Sequence, residues 1–385
     1  MDTAIHSKKN ELVSHLRKRE KFDERDIKTV VCPAPVRLLG EDYYETNIFA
    51  CIDQNLLLTF FKNSSGTVKL YSLESPGVIK IEPGINSPTI KEPTLRQIHK
   101  TIKKLESIYE FSSGLTGTIS LPYPDDPPLN RFQIGLSIFY ALGNCNKFKP
   151  DIGNCCRTYI RIVLPDMGET GYCTAACFCE HGNVVSVMRE NVSSSHIVHS
   201  NRSSEIYFVT ALLNIENNSV SSILNSENYK KIATLVGIMT GYRNLIDISE
   251  ISYDLLNKCK SKLPKDIQNA AAHYYEDLIR IREAGNLWEN NKISEFGSLI
   301  TASSLSKLRL NGQLKLCSIF EKISGDKGVI AIGFAIMEET LRIFIITDKK
   351  DHEVISGYLR RALQISFNSN FIVNSAPVGK RMYEL

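Results

Sequence analysis

The residues best equipped for chemistry in this 385-residue sequence form two groups. Cys173, Cys177 and Cys179 lie on one short segment with His181 close behind, and Cys155 and Cys156 are adjacent. Thiolate and imidazole are zinc ligands, so such a cluster could hold a metal. Its spacing matches no closed four-ligand pattern, and none of the ten cysteines has CxxC spacing. Small buried thiols in a reducing compartment account for them, and no metal site is expected. The second group is basic: Lys8, Lys9, Arg17, Lys18, Arg19 and Lys21. A basic run can meet nucleic acid or an anionic membrane, but Glu11, Glu20 and Asp23 interleave this one. The whole chain balances 46 basic against 42 acidic residues, net +4, which predicts neither partner. A solvated amphipathic helix is the expected structure there.

The elements that would position any site are ordinary for a globular chain. Hydrophobic residues make up 43% and charged residues 23%. The length suits two domains at ~150 residues each. The charged opening carries no apolar core, so no signal peptide is expected. The most apolar run, Val329 to Ile346, is broken by Glu338, Glu339 and Arg342 and does not read as a membrane span. A soluble, cytoplasmic protein is predicted. Lys8–Lys21 reads as a helix, followed by an extended run over Lys28–Cys32. Leu56–Phe61, Val68–Tyr71 and Gly117–Leu121 are β-branched or aromatic runs bounded by turn residues, which signals strands. Ile98, Ile102, Leu105 and Ile108 mark a helix over Thr94–Tyr109, and Arg131–Leu142 reads as a buried helix. Helices follow at Tyr229–Tyr242, Pro264–Trp288 and Ile293–Leu308. Strands follow at Gly328–Phe334 and Leu341–Ile346, then a helix at Val354–Leu363 and a strand at Phe371–Val373. Strands and helices alternate without a regular βαβ period, so the fold class is α+β. The polar stretch Asn214–Asn228 reads as a junction between halves.

Residues 31–47, VCPAPVRLLGEDYYETN, resemble the galactokinase signature APGRVNLIGEHTDYN of the GHMP small-molecule kinase superfamily. Pro33, Val36, Leu38, Gly40 and Glu41 match at the same spacing. On this resemblance the family's arginine, beside the transferred phosphate, is Pro35, and Arg37 stands at the family's asparagine. The sugar-contacting glutamate is Glu41, the following histidine is Asp42, and the sugar-contacting aspartate is Tyr44. A one-step shift would keep Arg37 as the arginine but needs a deletion before LLGE, so the ungapped register is preferred.

Further landmarks follow in family order. The family's phosphate loop PxGxGLSSSAS corresponds to LPYPDDPPLNRFQIGLSIFYAL from Leu121. Such loops hold phosphate with backbone N–H groups and a helix N-terminus. Pro124, Pro127 and Pro128 have no N–H to offer, and Asp125 and Asp126 add like charge. At the catalytic landmark, Glu169 to Met188, Glu180 and Gly182 set the register. Tyr172 then falls on the catalytic aspartate and Cys173 on the neighbouring glutamine. A carboxylate there would steer the sugar hydroxyl proton, and a neutral phenol would not. Asp166 and Glu169 are close in sequence and could substitute under a slipped register. SVSSILNSENY (219–229) is similar to NVRHSLASSEY, which puts Tyr229 on a tyrosine that packs against the sugar. A solvent-facing helix start is the other reading of Tyr229. His273, Arg280, Phe296 and Gly297 match a long two-helix signature whose role is packing. In the final glycine run, which lets backbone approach the nucleotide, only Gly328 and Gly333 survive; Phe334, Ala335, Ile336 and Met337 replace the rest, and bulky side chains there would fill the space.

The resemblance implies a two-domain GHMP kinase fold, with a ribosomal protein S5 domain 2-like N-terminal domain (1–210) and a ferredoxin-like C-terminal domain (211–385). The substrate-binding candidates are Glu41, Asp42, Tyr44 and Tyr229, expected with Tyr172 on one cleft. The leading expectation is a non-catalytic, galactokinase-like pseudokinase that binds a monosaccharide or a protein partner and needs no cofactor. The superfamily includes such members, among them a galactose-sensing inducer of transcription and a sex-determination switch protein. The alternatives are an active sugar 1-kinase using ATP and Mg, with Arg37 and Asp166 as substitutes, and a partner-binding protein with no small-molecule ligand.

Overall fold

The computed structural model describes the chain apart from residues 1, 42–43, 75–76, 83–92, 110–111, 123–126, 147–150, 164–166, 181, 189–195, 199–204, 215–226, 242–244, 246–247, 338–339, 368–370 and 372. Asp42, Pro124, Asp125, Asp126, Asp166, His181 and most of the polar stretch 214–228 therefore lie outside the described residues. Among the described residues, no helix is long and apolar enough to cross a membrane.

The chain forms two compact units. One holds Met1–Pro35, Cys51–His181 and Gly379–Leu385, and the other holds Val36–Ala50 and Gly182–Val378. A single cut at residue 210 differs from this division, because it would fall inside strand β8 (Ile206–Asn214). Two long strands, β1 (Lys28–Leu39) and β2 (Thr46–Asn63), contribute residues to both units.

In the first unit, six strands run in the order β12-β1-β2-β5-β3-β4, with β3 (Val68–Ser72), β4 (Val78–Ile81), β5 (Gly114–Ser120) and β12 (Tyr383–Glu384). β2 and β5 pair antiparallel from Leu57 opposite Ser120, and β3 lies parallel to β5. Helices α1 (Asp2–Arg17), α2 (Pro93–Glu106), α3 (Pro127–Cys145), α4 (Ile152–Val163) and α5 (Met167–Phe178) complete it. α1 starts earlier than the charge run suggested, because its buried face is Ile5, Leu12 and Leu16, at helical spacing. Ile5 and Leu12 pack with Val31 and Leu57, and Tyr383 and Leu385 join them. Residues 379–385 are tied in by backbone bonds: Gly379 N–H to Cys51, Met382 N–H to Ala176 and Leu385 N–H to Thr29. α3 begins at Pro127, four residues before the expected start, since proline's fixed φ and missing N–H suit a first helical turn. Gln133 then donates from Nε2 to the carbonyls of Cys32 (2.8 Å) and Gln54 (3.1 Å), fastening α3 to both long strands.

In the second unit, the start of β2 pairs with β6 (Val184–Met188), which pairs with β7 (His196–Val198). A separate four-stranded antiparallel sheet has the order β11-β8-β10-β9, with β9 (Val329–Met337), β10 (Thr340–Asp348) and β11 (Val373–Pro377). Taken in chain order this is 4-1-3-2, the ferredoxin-like arrangement. Between β8 and β9 lie α6 (Glu227–Thr240), α7 (Tyr253–Cys259), α8 (Lys265–Glu289), α9 (Ile293–Leu310) and α10 (Leu314–Ser324), and α11 (His352–Phe367) follows β10. Alternate residues of β10, Leu341, Ile343 and Ile345, point to one face and pack with Phe320 of α10 and Leu359 and Leu363 of α11. β11 ends on Pro377, as an edge strand can.

Candidate functional site

In the second unit, charged residues from β1, the turn after it and α9 line one small cavity, with Phe334 of β9 beside them. β1 ends in the turn Gly40–Glu41, and Gly40 is required there. Its φ is +96°, and a Cβ would fall 2.3 Å from Asn47 Oδ1. That turn delivers the Glu41 carboxylate to the Lys307 ammonium, with which it forms an ion pair. Lys307 arrives from the last turns of α9, and its Nζ also stands 5.3 Å from the centre of the Phe334 ring of β9, within cation–π range. A small cavity opens beside this pair, lined by Arg37, Glu41, Ser303, Ser304, Lys307 and Phe334 among others. It leaves room for about one water molecule.

Burial, and after it the Arg37 guanidinium, push the Lys307 ammonium down to about 7. The Glu41 carboxylate at its side opposes that shift. Arg37 is itself buried, 8% exposed, with its guanidinium 5.8 Å from the Phe49 ring. A lysine buried near a guanidinium gives up its proton more readily than the guanidinium does.

Behind Ser303 lies a buried polar network joining α8 to α9. Ser303 Oγ donates to Asp277 Oδ2 (2.8 Å), and Arg280 donates to Asp277 Oδ1 (2.6 Å). His273 places Nδ1 3.0 Å from Ser306 Oγ and Nε2 3.6 Å from Asp277 Oδ2. Burial lowers the His273 pKa, so the ring is held neutral. His273 and Arg280 thus do the helix-packing work expected of them. Gly297 does likewise: its Cβ would fall 2.0 Å from the Ile330 carbonyl oxygen of β9.

Tyr44 is fully buried and stacks on Tyr274 of α8, ring centres 4.9 Å apart and 22° between planes. Tyr229, near the start of α6, is 7% exposed and tilts against the same Tyr274 at 5.9 Å. The solvent-facing reading of Tyr229 is therefore corrected: the first turn of α6 turns this ring inward. Burial pushes the Tyr44 phenol well above its ordinary pKa. Glu41 and Arg37 meet at the cavity, while Tyr44 and Tyr229 meet at Tyr274 instead.

Tyr172 belongs to the first unit. It is 3% exposed on α5 and stacks on Phe132 of α3 at 5.2 Å, with 10° between the rings. Pro35 is a buried residue of β1 in that unit. Cys173, Cys177 and Cys179 are buried thiols, and burial first and then Cys156 push the Cys177 thiol well above its usual range. Both surviving glycines of the final run have packing roles. A Cβ on Gly333 would fall 2.4 Å from Phe344 Cζ across the sheet, and Gly328, at φ +90°, turns against Asp351.

Lys307, Ser303 and Ser304 were missed by the sequence reasoning. Ser303 and Lys307 are four apart on α9 and so share a face, which was the one signal available.

No family profile and no curated protein matches the sequence. Solved structures do match. A galactokinase from Lactococcus lactis, complexed with galactose, is similar with a TM-score of 0.74 at 14% identity, over 94% of this chain and 96% of that one. A mevalonate diphosphate decarboxylase from Staphylococcus aureus has a TM-score of 0.55 at 10% identity, covering 94% and 98%. A sugar kinase from Campylobacter jejuni has a TM-score of 0.55 at 12% identity, covering 94% and 99%. At such identities the likeness speaks to architecture, and the chain has the α+β GHMP kinase fold seen in galactokinases and sugar kinases.

Proposed function

We propose that the chain acts by binding and does not transfer phosphate. The observation that carries this reading is the ion pair of Glu41 with Lys307, beside a cavity with room for about one water molecule. The carboxylate that the galactokinase resemblance assigns to a sugar hydroxyl is already engaged by an internal donor. A sugar would have to displace that donor, and burial makes the exchange costly. Tyr44, standing where the resemblance expects a sugar-contacting aspartate, is fully buried on Tyr274 and offers no carboxylate. In the first unit, the opening turn of α3 begins Pro127–Pro128, two residues without N–H groups for phosphate.

One observation favours the active-kinase alternative: Arg37 lines the same cavity as Glu41. Both readings face one experiment, a labelled-ATP transfer assay over a panel of hexoses with Mg present, run beside melting curves with Mg-ATP. A ligand at 100 times its dissociation constant raises stability by about 2.7 kcal/mol, well within the reach of melting. We expect no transfer and no saturable shift with ATP. Turnover abolished by Arg37→Gln or Asp166→Asn would overturn the binding reading and establish a rebuilt kinase site.

A further inference from the structure

The buried thiols of the first unit carry an inference independent of the Lys307 cavity. Cys51 lies in β2 and Cys179 directly follows the last turn of α5, and both are fully buried. The Cys51 thiol donates to the carbonyl oxygen of Ala175 (3.4 Å), and the backbone N–H of Cys179 donates to the same oxygen (2.9 Å). We propose that Cys51 and Cys179 are a disulfide-forming pair, which a small peroxide joins into a bond that staples β2 to the end of α5. The two thiols lie within hydrogen-bonding reach of each other, and burial first, then Cys179, push the Cys51 thiol well above its usual range. The Cys179 thiol faces the Glu180 carbonyl (3.9 Å). After oxidation Ala175 keeps its bond from the Cys179 N–H, so the disulfide leaves no bare acceptor there. Cys156 and Cys177 are the competing pair, also within reach of each other. Each of them sits inside a helix, α4 or α5, whose backbone has little freedom to meet disulfide geometry, whereas Cys179 lies past a helix end.

The oxidant is hydrogen peroxide. One thiol, as its thiolate, attacks a peroxide oxygen: an S–O bond forms, the O–O bond breaks, and hydroxide leaves as water with the proton that thiol gave up. The other sulfur then attacks this sulfenic acid: the S–S bond forms, the S–O bond breaks, and a second water carries off the second thiol proton. The two sulfurs together lose two electrons, which the peroxide gains. Thiolate is the reactive form, so burial makes the pair slow while the unit is closed. The cover is the segment 379–385. Gly379 N–H bonds to the Cys51 carbonyl (2.7 Å), Met382 N–H bonds to the Ala176 carbonyl (2.7 Å), and Met382 is fully buried. That segment thus ties β2 to α5 by hydrogen bonds at the place where the disulfide would tie them covalently. Release of the segment admits the oxidant, and the bond then holds the two elements without it.

The test is peptide mapping of the full chain after incubation with dilute hydrogen peroxide, with the remaining thiols blocked by an alkylating agent under denaturing conditions before digestion. Wild type should yield a peptide cross-linked through Cys51 and Cys179. The oxidised protein should melt at a higher temperature than the reduced one, because a bond closing so long a loop restricts the unfolded chain, and dithiothreitol should abolish the increase. Cys51→Ala and Cys179→Ala should each lose both the cross-link and the increase. Met382→Ala loosens the covering segment and should form the cross-link several-fold faster. The same substitution should lower the melting temperature less in the oxidised protein than in the reduced one. No cross-linked peptide from the folded wild-type chain would overturn the proposal, whether or not the variants fold. So would a Cys156–Cys177 cross-link in its place, a melting increase that persists in Cys179→Ala, or an unchanged rate in Met382→Ala.

Discussion

The charge state of Lys307 can be read from stability alone, by comparing wild type with Lys307→Met across pH. Lysine in an unfolded chain titrates near ~10.4, and Lys307 in the folded chain near about 7. Between these values the unfolded state binds more protons, so folding stability rises with pH. The lysine's contribution is complete above the unfolded pKa and is lost as pH falls through about 7. Each tenfold difference in proton affinity is worth ~1.4 kcal/mol, which sets a ceiling of about 5 kcal/mol. Two features cut this down: the neighbouring Glu41 carboxylate favours the ammonium, and 15% of the lysine side chain is exposed. We expect the wild-type minus Lys307→Met difference in unfolding free energy to climb by about 2 kcal/mol from near-neutral to alkaline pH. Urea unfolding at a series of pH values measures it, and groups common to both proteins cancel in the difference. A flat difference would refute a loosely held proton. A difference that falls with pH would show that the Glu41 ion pair dominates and holds the ammonium above its ordinary pKa.

Other perturbations follow from the packing. Asp277→Ala removes the shared acceptor of Ser303 and Arg280, and should cost about 3 kcal/mol in urea unfolding, the lower end for a broken buried pair. Ser303→Ala in the same assay should cost only about 1 kcal/mol, as one neutral donor lost. Gly333→Ala drives a methyl into Phe344 and should destabilise by about 1–3 kcal/mol, with Phe344→Leu relieving part of the loss. Tyr44→Ala should cost about 3–5 kcal/mol, while Tyr44→Phe keeps the ring stack and should lose far less. Tyr172→Asp should not create phosphate transfer, because a carboxylate alone replaces neither the phosphate loop nor the glycine run, and such groups act together.

Most elements were legible because their periodicity is local. The β-branched runs in β2, β3 and β5 and the apolar spacing of α2 lie within a few residues of the observed strands and helix. Element starts were harder. α1 was read from its charges, yet Ile5 and Leu12 decide where it lies, through contact with Val31 and Leu57. α3 begins on two prolines that in isolation look like helix breakers, because a first turn needs no N–H from them. The site was half legible. Gly40 and Glu41 could be placed by spacing to Val36 and Leu38, and the structure puts them at one turn. Lys307 could not, since a lysine among Leu305, Leu308 and Arg309 looks like any solvent-facing helix residue. Only the long-range return of α9 to that turn brings it to Glu41. Tyr229 shows the same limit in reverse, its buried ring depending on Tyr274 of a different helix.

The unit built around α1 to α5 is closed by residues 379–385, which a ribosome makes only after residues 182–378 of the other unit. During synthesis Val30 and Val31 of β1 therefore wait without partners on that side, since β12 and the Leu385 bond to Thr29 do not yet exist. A bare strand edge is a template for pairing with other chains, and long-range strand pairing is the slow kind. A product lacking β12 would leave Val30 and Val31 unpaired on that side and would strip Tyr383 and Leu385 from the cluster of Ile5, Leu12, Val31 and Leu57, so the first unit should be less stable without its closing segment.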